Sequence, residues 1–577
     1  TYKAHYLDDK TKEGPITMAE VEGNNFSSIQ AAIDAADPGG VIFLKDITYY
    51  NDIEKSMVIN KPITIIGSEG TILDAEGLSR IFTVNYNVKN VNLNNLTFIN
   101  GHADEGGAIY GEYGTEDLKI TNCDFINNTA NIAGGAVKHH SNWTFTDCAF
   151  INNSANPNNN PDYVSDEIAF GGGAIWCCDG ITNLVGTDFI NNNATFGGAI
   201  RGAVNARDCV VENNTAFNGN GGGIDLTIDS VLFDDETFMT SVQIRDSNFT
   251  GNSAKGEYMP TEEAKGGKAQ GGAIHIYRVE GMVLDNITCT DNTAYRGGAL
   301  DLYVMNYTTI TNSNISDNTA TLGGGIAVVG DNCLFLNLTL ANNYAEDGKY
   351  DGGEGGAIWV NGSNTLFENS TLDQNVADTW GGGIMSRGSN CSFVNNNLTS
   401  NEAFFGGGIA VESHDDSGFA ENITFYNNTL LYNHAYNGGG VVVQADQVNF
   451  TDNVISNNTA DVTGGAFWIV GDDVYIENLT SDYNTALNGG SCAIHCDDVI
   501  VKNSTFTGNQ ALVVEPRGLG GALHIYGATS ADIQANFYNN TAKNGSAIYS
   551  EESTGVYIHD SDFVENQAYS YLLSIAP

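Results

Sequence analysis

Gly106-Gly107-Ala108-Ile109 is the stretch on which the fold turns, because it returns, lightly edited, almost to the C-terminus. With Ala or Gly third and Ile, Leu, Val or Phe fourth, it ends at Val137, Ile175, Ile200, Ile224, Ile274, Leu300, Ile326, Ile358, Ile384, Ile409, Val441, Phe467 and Leu523. More degenerate copies end at Ile494 and Ile548. These are about sixteen copies at a usual spacing of roughly 25 residues, a period that marks a repeat architecture. A second phrase runs in step: an apolar residue, two polar ones, then Asn-x-Ala, as at residues 125–130, 249–254 and 537–542. Each unit therefore reads as strand, Asn turn, Gly corner, strand.

The residue two beyond the motif Ile is again apolar at Leu226, Ile276, Leu302, Val328, Val360, Val411, Val443, Ile469 and Ile525. Alternation of this kind excludes a helical repeat and puts both positions on one inward face. A strand, a corner and a strand per unit, always with one apolar face, predict an all-β single-stranded parallel β-helix. Some eighteen coils at the inter-strand spacing make a rod about 85 Å long.

Four segments follow: a tail at 1–23, a capping helix with irregular first coils at 24–105, regular coils at 106–568, and a C-terminal tail at 569–577. Ile29, Ala32, Ile33 and Ala36 share one side of a helix that begins at Phe26 and is stopped by Pro38, Gly39 and Gly40, well placed to lid the first coil. Residues 156–170, 230–241, 255–270 and 346–354 exceed a tight corner and are expected to project as loops.

The net charge is −47, with 23 Lys plus Arg against 70 Asp plus Glu. Nucleic acid and anionic membrane are thereby poor partners, while cations and basic surfaces suit the chain. No apolar run is long enough to span a bilayer and no signal peptide stands at Thr1, so the expectation is a soluble chain or a processed fragment. Of the ten Cys, Cys123 and Cys148 take the same place in successive coils, which fits either a disulfide or a column of small buried thiols.

The pairing of GGA[ILV] with FxxN resembles the polymorphic outer-membrane-protein repeat. The opening, from Phe26-Ser-Ser-Ile-Gln-Ala-Ala-Ile-Asp-Ala-Ala through Pro38-Gly-Gly, Ile63-Thr-Ile-Ile-Gly and Asn95-Leu-Thr-Phe, is similar to adhesin-like proteins of methanogenic archaea. That resemblance implies a right-handed β-helix of the pectin-lyase type, supplies the handedness, and implies a secreted or cell-surface place. The fold hosts both binders and polysaccharide-cleaving enzymes. Sequons abound, and Asn95, Asn142, Asn248, Asn286, Asn306, Asn422 and Asn449 are candidate glycosylation sites. Asn128, Asn292 and Asn318 are instead expected to be turn formers stacked coil on coil.

The row just after the motif Ile points away from the core by parity. It runs Tyr110, Lys138, Trp176, Arg201, Asp225, His275, Asp301, Ala327, Trp359, Met385, Ala410, Val442, Trp468, His495, His524 and Tyr549. Water-facing aromatics here, with Tyr277 and Tyr303 in the next outward column, are expected to bind glycan or protein partners. Arg201, Asp225, His275 and Asp301 fall on successive rungs, close enough for an acid, a base and a charge stabiliser. They suit glycoside hydrolysis or, with Ca²⁺, elimination across a uronate. A stack of mutually neutralising charges is the alternative. The pectinase motifs Asn-Thr-Asp, His-Gly and Arg-Ile-Lys are absent. Acidic corners at Asp415-Asp416 and Asp472-Asp473 could hold Ca²⁺, and no other cofactor is expected. Repetition favours a non-catalytic adhesin-like protein, with a self-assembling envelope or filament subunit and a polysaccharide lyase or hydrolase as rivals.

Overall fold

The computed structural model describes residues 18–155, 171–227, 239–240, 242–256, 269–303, 306–347, 352–413, 419–514 and 518–576. The single helix among them, Phe26–Ala35, starts at Asn25, whose Oδ1 accepts the Ser28 N–H, and buries Phe26, Ile29 and Ile33 against the first coils. Everything after it is a parallel β-helix. In a typical coil four short strands follow one another, Ile326–Val329, Leu334–Leu336, Thr339–Ala341 and Tyr344–Ala345. Each pairs in parallel with its equivalents one coil before and one coil after.

The coil has more bends than the sequence pattern suggests. Asn332, Asn337 and Asn342 are all left-handed, five residues apart, as are Asn390, Asn395 and Ser400. A positive φ is costly for most side chains and least so for Gly, Asn and Asp, which is why Asn crowds these positions. Directly after the third bend stands a wholly buried Asn. Asn292 Nδ2 donates to Phe249 O and to Asn318 Oδ1, each at 3.0 Å, while its own Oδ1 accepts from the N–H and Nδ2 of Asn252. The pattern is continuous from Asn128 to Asn566, so the expected stacking of Asn128, Asn292 and Asn318 holds.

The fourth bend is the Gly corner. At Gly297 φ is +62°, and a Cβ there would sit 2.1 Å from Leu300 O; a Cβ on Gly298 would sit 2.0 Å from Gly324 O on the next coil. One glycine permits the turn and the other lets two backbones stack.

Inside, Leu226, Ile276, Leu302, Val328, Val360 and their equivalents are buried, as the alternation requires. Phe335, Phe367, Phe393, Phe425 and Phe450 form a stack with centroids 4.3–4.9 Å apart. Such offset stacks add to the area term of burial.

Three expectations change. The last segment is a rung: Gln567–Ala576 pairs with Thr541–Glu551. The copy expected to end at Ile494 is out of register by two, because Phe467 pairs with Cys492 and Trp468 with Ala493. Gly489-Gly490-Ser491-Cys492 is the true corner, so Ala493 and not His495 belongs to the row. Cys123 and Cys148 lie in the same column, but both are free thiols. Each is directed at backbone carbonyls, Cys123 Sγ at Thr121 O and Cys148 Sγ at Thr146 O, both at 3.3 Å. Burial pushes the Cys148 thiol up to about 12. Of the expected loops, 156–170 and most of the other three lie outside the described residues, as does the tail at 1–17.

Candidate functional site

At the Gly corners of residues 297–298 and 355–356 the chain folds back so that the residue before Gly-Gly meets the residue five positions later. Arg296 Nε reaches Asp301 Oδ1 at 2.5 Å, and Trp359 Nε1 donates to Glu354 Oε2 at 2.8 Å. The row after the motif Ile does point away from the core, yet it lies in a concave elbow covered by the arm before the corner. The expectation of a water-facing row is corrected here: Trp176 is 6% exposed, Trp359 5%, and Asp225 and Asp301 1%. Parity tells which side of a strand a residue takes, but not whether a second strand closes over that side.

What fills the elbow changes along the rod. From Ala327 onward it is largely apolar, with Ala327, Trp359, Met385 and Ala410 in one cluster against Leu322 and Trp380. On the four rungs before Ala327 it is ionic. Arg201, Asp225, His275 and Asp301 stand in register on consecutive strands. Arg201 Nη1 meets Asp225 Oδ2 at 3.1 Å, and Thr227 Oγ1 donates to Asp225 Oδ1 at 2.6 Å. His275 Nδ1 meets Asp301 Oδ2 at 2.8 Å, and Arg296 grips both oxygens of the same carboxylate.

Burial alone would push Asp301 up, but Arg296 and the His275 hydrogen bond outweigh it and hold this carboxyl below the usual range. An ionised Asp301 accepts the Nδ1 hydrogen of His275 and so leaves Nε2 as the nitrogen that exchanges a proton. Tyr277 and Tyr303, stacked at 5.6 Å, stand half-exposed two residues on, with Arg296 over the Tyr303 ring at 4.7 Å. They are the edge from which the ionic group can be approached.

On the N-terminal side, Lys138 pairs with Glu105 at 2.6 Å and lies 4.3 Å over the Trp176 ring, while Arg80 lies over Tyr110. On the C-terminal side, Trp468, His524 and Tyr549 form an aromatic run. The sequence reading therefore found the residues on the far arm of the elbow and missed Arg296 and Glu354 on the near arm. Their signal was position: each directly precedes a Gly-Gly. It also missed an exposed aromatic pair, Phe404 and Tyr436, stacked at 4.5 Å on another face.

Among the described residues no three His, Cys, Asp or Glu side chains converge on a cation site. Asp472 Oδ1 instead accepts the Asp497 N–H, a turn role, and Asp415-Asp416 lies outside the described residues. Of the candidate sequons, Asn95, Asn142, Asn248, Asn286 and Asn422 are exposed, and Asn306 and Asn449 half-exposed.

The fold these elements define is a right-handed parallel β-helix: the family model described as "Right handed beta helix region" matches residues 240–430. The Chlamydia polymorphic membrane protein repeat matches residues 534–551. No curated protein matches. Among solved structures, the A-module of the Azotobacter vinelandii mannuronan C-5 epimerase AlgE6 is 14% identical, with 70% of this chain and 94% of that one covered and a TM-score of 0.38. The PL6 family alginate lyase AlyGC is 11% identical, with 98% of each chain covered and a TM-score of 0.34. A mannuronic acid specific polysaccharide family 6 lyase from human gut microbiota is 13% identical, with 71% and 87% covered and a TM-score of 0.36.

The non-catalytic adhesin expected from sequence is corrected by the burial of its binding face, because the aromatic row meant to form that face is largely buried.

Proposed function

We propose that this chain is a polysaccharide-active enzyme that cleaves an acidic polysaccharide by elimination across a uronate. One observation carries the reading: the buried ionic group Arg201, Asp225, His275, Asp301 and Arg296, packed into an elbow that other rungs fill with uncharged residues such as Ala327, Met385 and Val442. Burying ions costs several kcal/mol each unless they are well paired, and apolar replacements are often the more stable choice. A structural stalk has no need of such a group; a reaction that moves protons does.

In elimination, a base takes the proton α to the uronate carboxyl, the C4–O4 bond breaks as a C4=C5 double bond forms, and the leaving oxygen takes a proton. His275 Nε2 is the base, oriented by Asp301. Arg201 and Arg296 supply positive charge for the carboxyl as its α-carbon becomes anionic. Tyr277 or Tyr303, at the open edge, protonates the leaving oxygen. Hydrolysis is less well supported, because it needs one protonated carboxyl and Asp301 is held in the ionised form. The polymorphic membrane protein repeat supports a place at the cell surface, where such a polymer is met.

The test is ultraviolet absorbance of the unsaturated product over a panel of polyuronates. Wild type should generate it, and His275→Ala and Asp301→Asn should lower the rate by about 10² or more. No absorbance from wild type on any polyuronate refutes elimination, and new reducing ends without absorbance would move the reading to hydrolysis.

A further inference from the structure

Six rungs beyond Asp301, about 29 Å at the usual rung spacing, the elbow turns polar again without becoming ionic. Trp468, Ala493 and His524 stand in register on three consecutive strands. Facing them from the near arm is Asn488, bridged to Thr463 before it and Leu519 after it. Asn488 precedes its Gly-Gly and stands five residues before Ala493, the relation by which Arg296 meets Asp301 and Glu354 meets Trp359.

Four polar atoms here are buried and have no hydrogen-bond partner among the described residues: Trp468 Nε1, Asn488 Oδ1, and both ring nitrogens of His524. His524 is 7% exposed, and the Glu551 carboxylate lies 3.8 Å from its Nε2, too far for a hydrogen bond. Each such orphan costs about 1–3 kcal/mol. Three side chains with unmet donors and acceptors on adjacent rungs are therefore not what packing alone would select. Ala493 stands between Trp468 and His524, so any opening between those two rings lies over it.

We propose that this part of the elbow is a second site, one that binds a neutral sugar through its hydroxyl groups. A hydroxyl donates and accepts at once, which matches an indole N–H, an amide oxygen and a neutral imidazole. Burial and the neighbouring His495 push His524 down to about 4, so the imidazole carries no charge near neutral pH. No cation of the described residues pairs with Glu551, so a uronate carboxylate meets repulsion here. The half-buried ring of His495 and the exposed ring of Tyr526, centroids 5.2 Å apart, flank the site with faces on which a sugar ring can stack.

The site stands apart from the ionic group, and its test does not depend on turnover. Titration calorimetry of the intact chain against neutral oligosaccharides (gluco-, manno- and galacto-configured) and against a polyuronate oligomer is paired with fluorescence of wild type and Trp468→Phe. Saturable binding of at least one neutral sugar is expected, with a Trp468-dependent fluorescence change. Asn488→Leu and Ala493→Leu should each weaken it tenfold or more, while His275→Ala leaves it unchanged. Ala493→Leu is safe for folding, because Trp359, Met385 and Val442 already occupy the same position on other rungs. Absence of saturable binding, with only ordered water on the four atoms in a crystal, overturns the proposal. Binding that survives Ala493→Leu, or that prefers the uronate, overturns it as well.

Discussion

Replacing Asn292 with Ala tests whether the buried asparagine column holds the coils in register. The substitution removes four hydrogen bonds: two donated by Asn292 Nδ2, to Phe249 O and Asn318 Oδ1, and two accepted by its Oδ1 from Asn252. At ~1 kcal/mol apiece the loss is about 4 kcal/mol, borne by the coil of Asn292 and its neighbours on either side. A repeat array need not unfold in one step, so a global melting curve averages the effect away. The Asn252 amide reports it directly, because its only acceptor among the described residues is the deleted oxygen. Native-state hydrogen exchange at that amide should accelerate roughly 10³-fold, while amides ten coils away stay unchanged. Asn292→Asp should rescue it only in part, since a carboxylate still accepts from the Asn252 amide but cannot donate to Phe249 O or Asn318 Oδ1. An acceleration below tenfold would refute the reasoning and assign the register to the Gly corners and apolar stacks.

Gly297→Ala should destabilise by about 2 kcal/mol or more, from the left-handed φ and the clash with Leu300 O; an unchanged denaturation midpoint would show that the corner relaxes freely. Stability should fall as pH drops below about 6.5, where an unfolded His begins to charge. His139, wholly buried and stacked on Trp143, is held neutral down to about 3, and His524 down to about 4. Each lowered pKa contributes stability that is complete above the unfolded value and drains away as pH falls toward the folded one, at up to ~1.4 kcal/mol per pH unit per group. His139→Gln should reduce that slope in urea titrations between pH 6 and 4, and an unaltered slope would contradict it. Native protein should resist alkylation at Cys123, Cys148, Cys289 and Cys492, which are buried with thiols pushed up by desolvation. Mass spectrometry after unfolding should then find all of them modified, and a Cys123–Cys148 bridge would overturn the free-thiol assignment.

The β-helix was legible in the sequence because its two strongest signals are steric. Only Gly fits a corner where a Cβ would meet carbonyl oxygens at 2.0 and 2.1 Å, and only an apolar residue fits Leu302 or Val328 on the inward face. The ionic rungs were legible too, since strands in register bring equal repeat positions together. Cover was not legible. Whether Trp176 faces water depends on the angle at which one arm of the corner approaches the other, and that angle leaves no mark on alternation. Arg296 was hidden for the same reason: it sits in an isolated bridge, outside the strands whose periodicity was read. The slip at Cys492 came from a corner spelled Gly-Gly-Ser-Cys, where Ile494 two places later imitated the missing Ile.

The asparagine column imposes an arithmetic on the gene. Its hydrogen bonds stay at 3.0–3.1 Å whether 22 residues separate neighbours, as from Asn192 to Asn214, or 40, as from Asn252 to Asn292. Splicing out one whole interval, such as the 25 residues from Asn318 to Asn343, leaves the flanking coils with partners of identical shape. Removing five residues that carry one of the bends instead leaves a coil that cannot close on its neighbours. Such a rod can lengthen or shorten by integers and by nothing between.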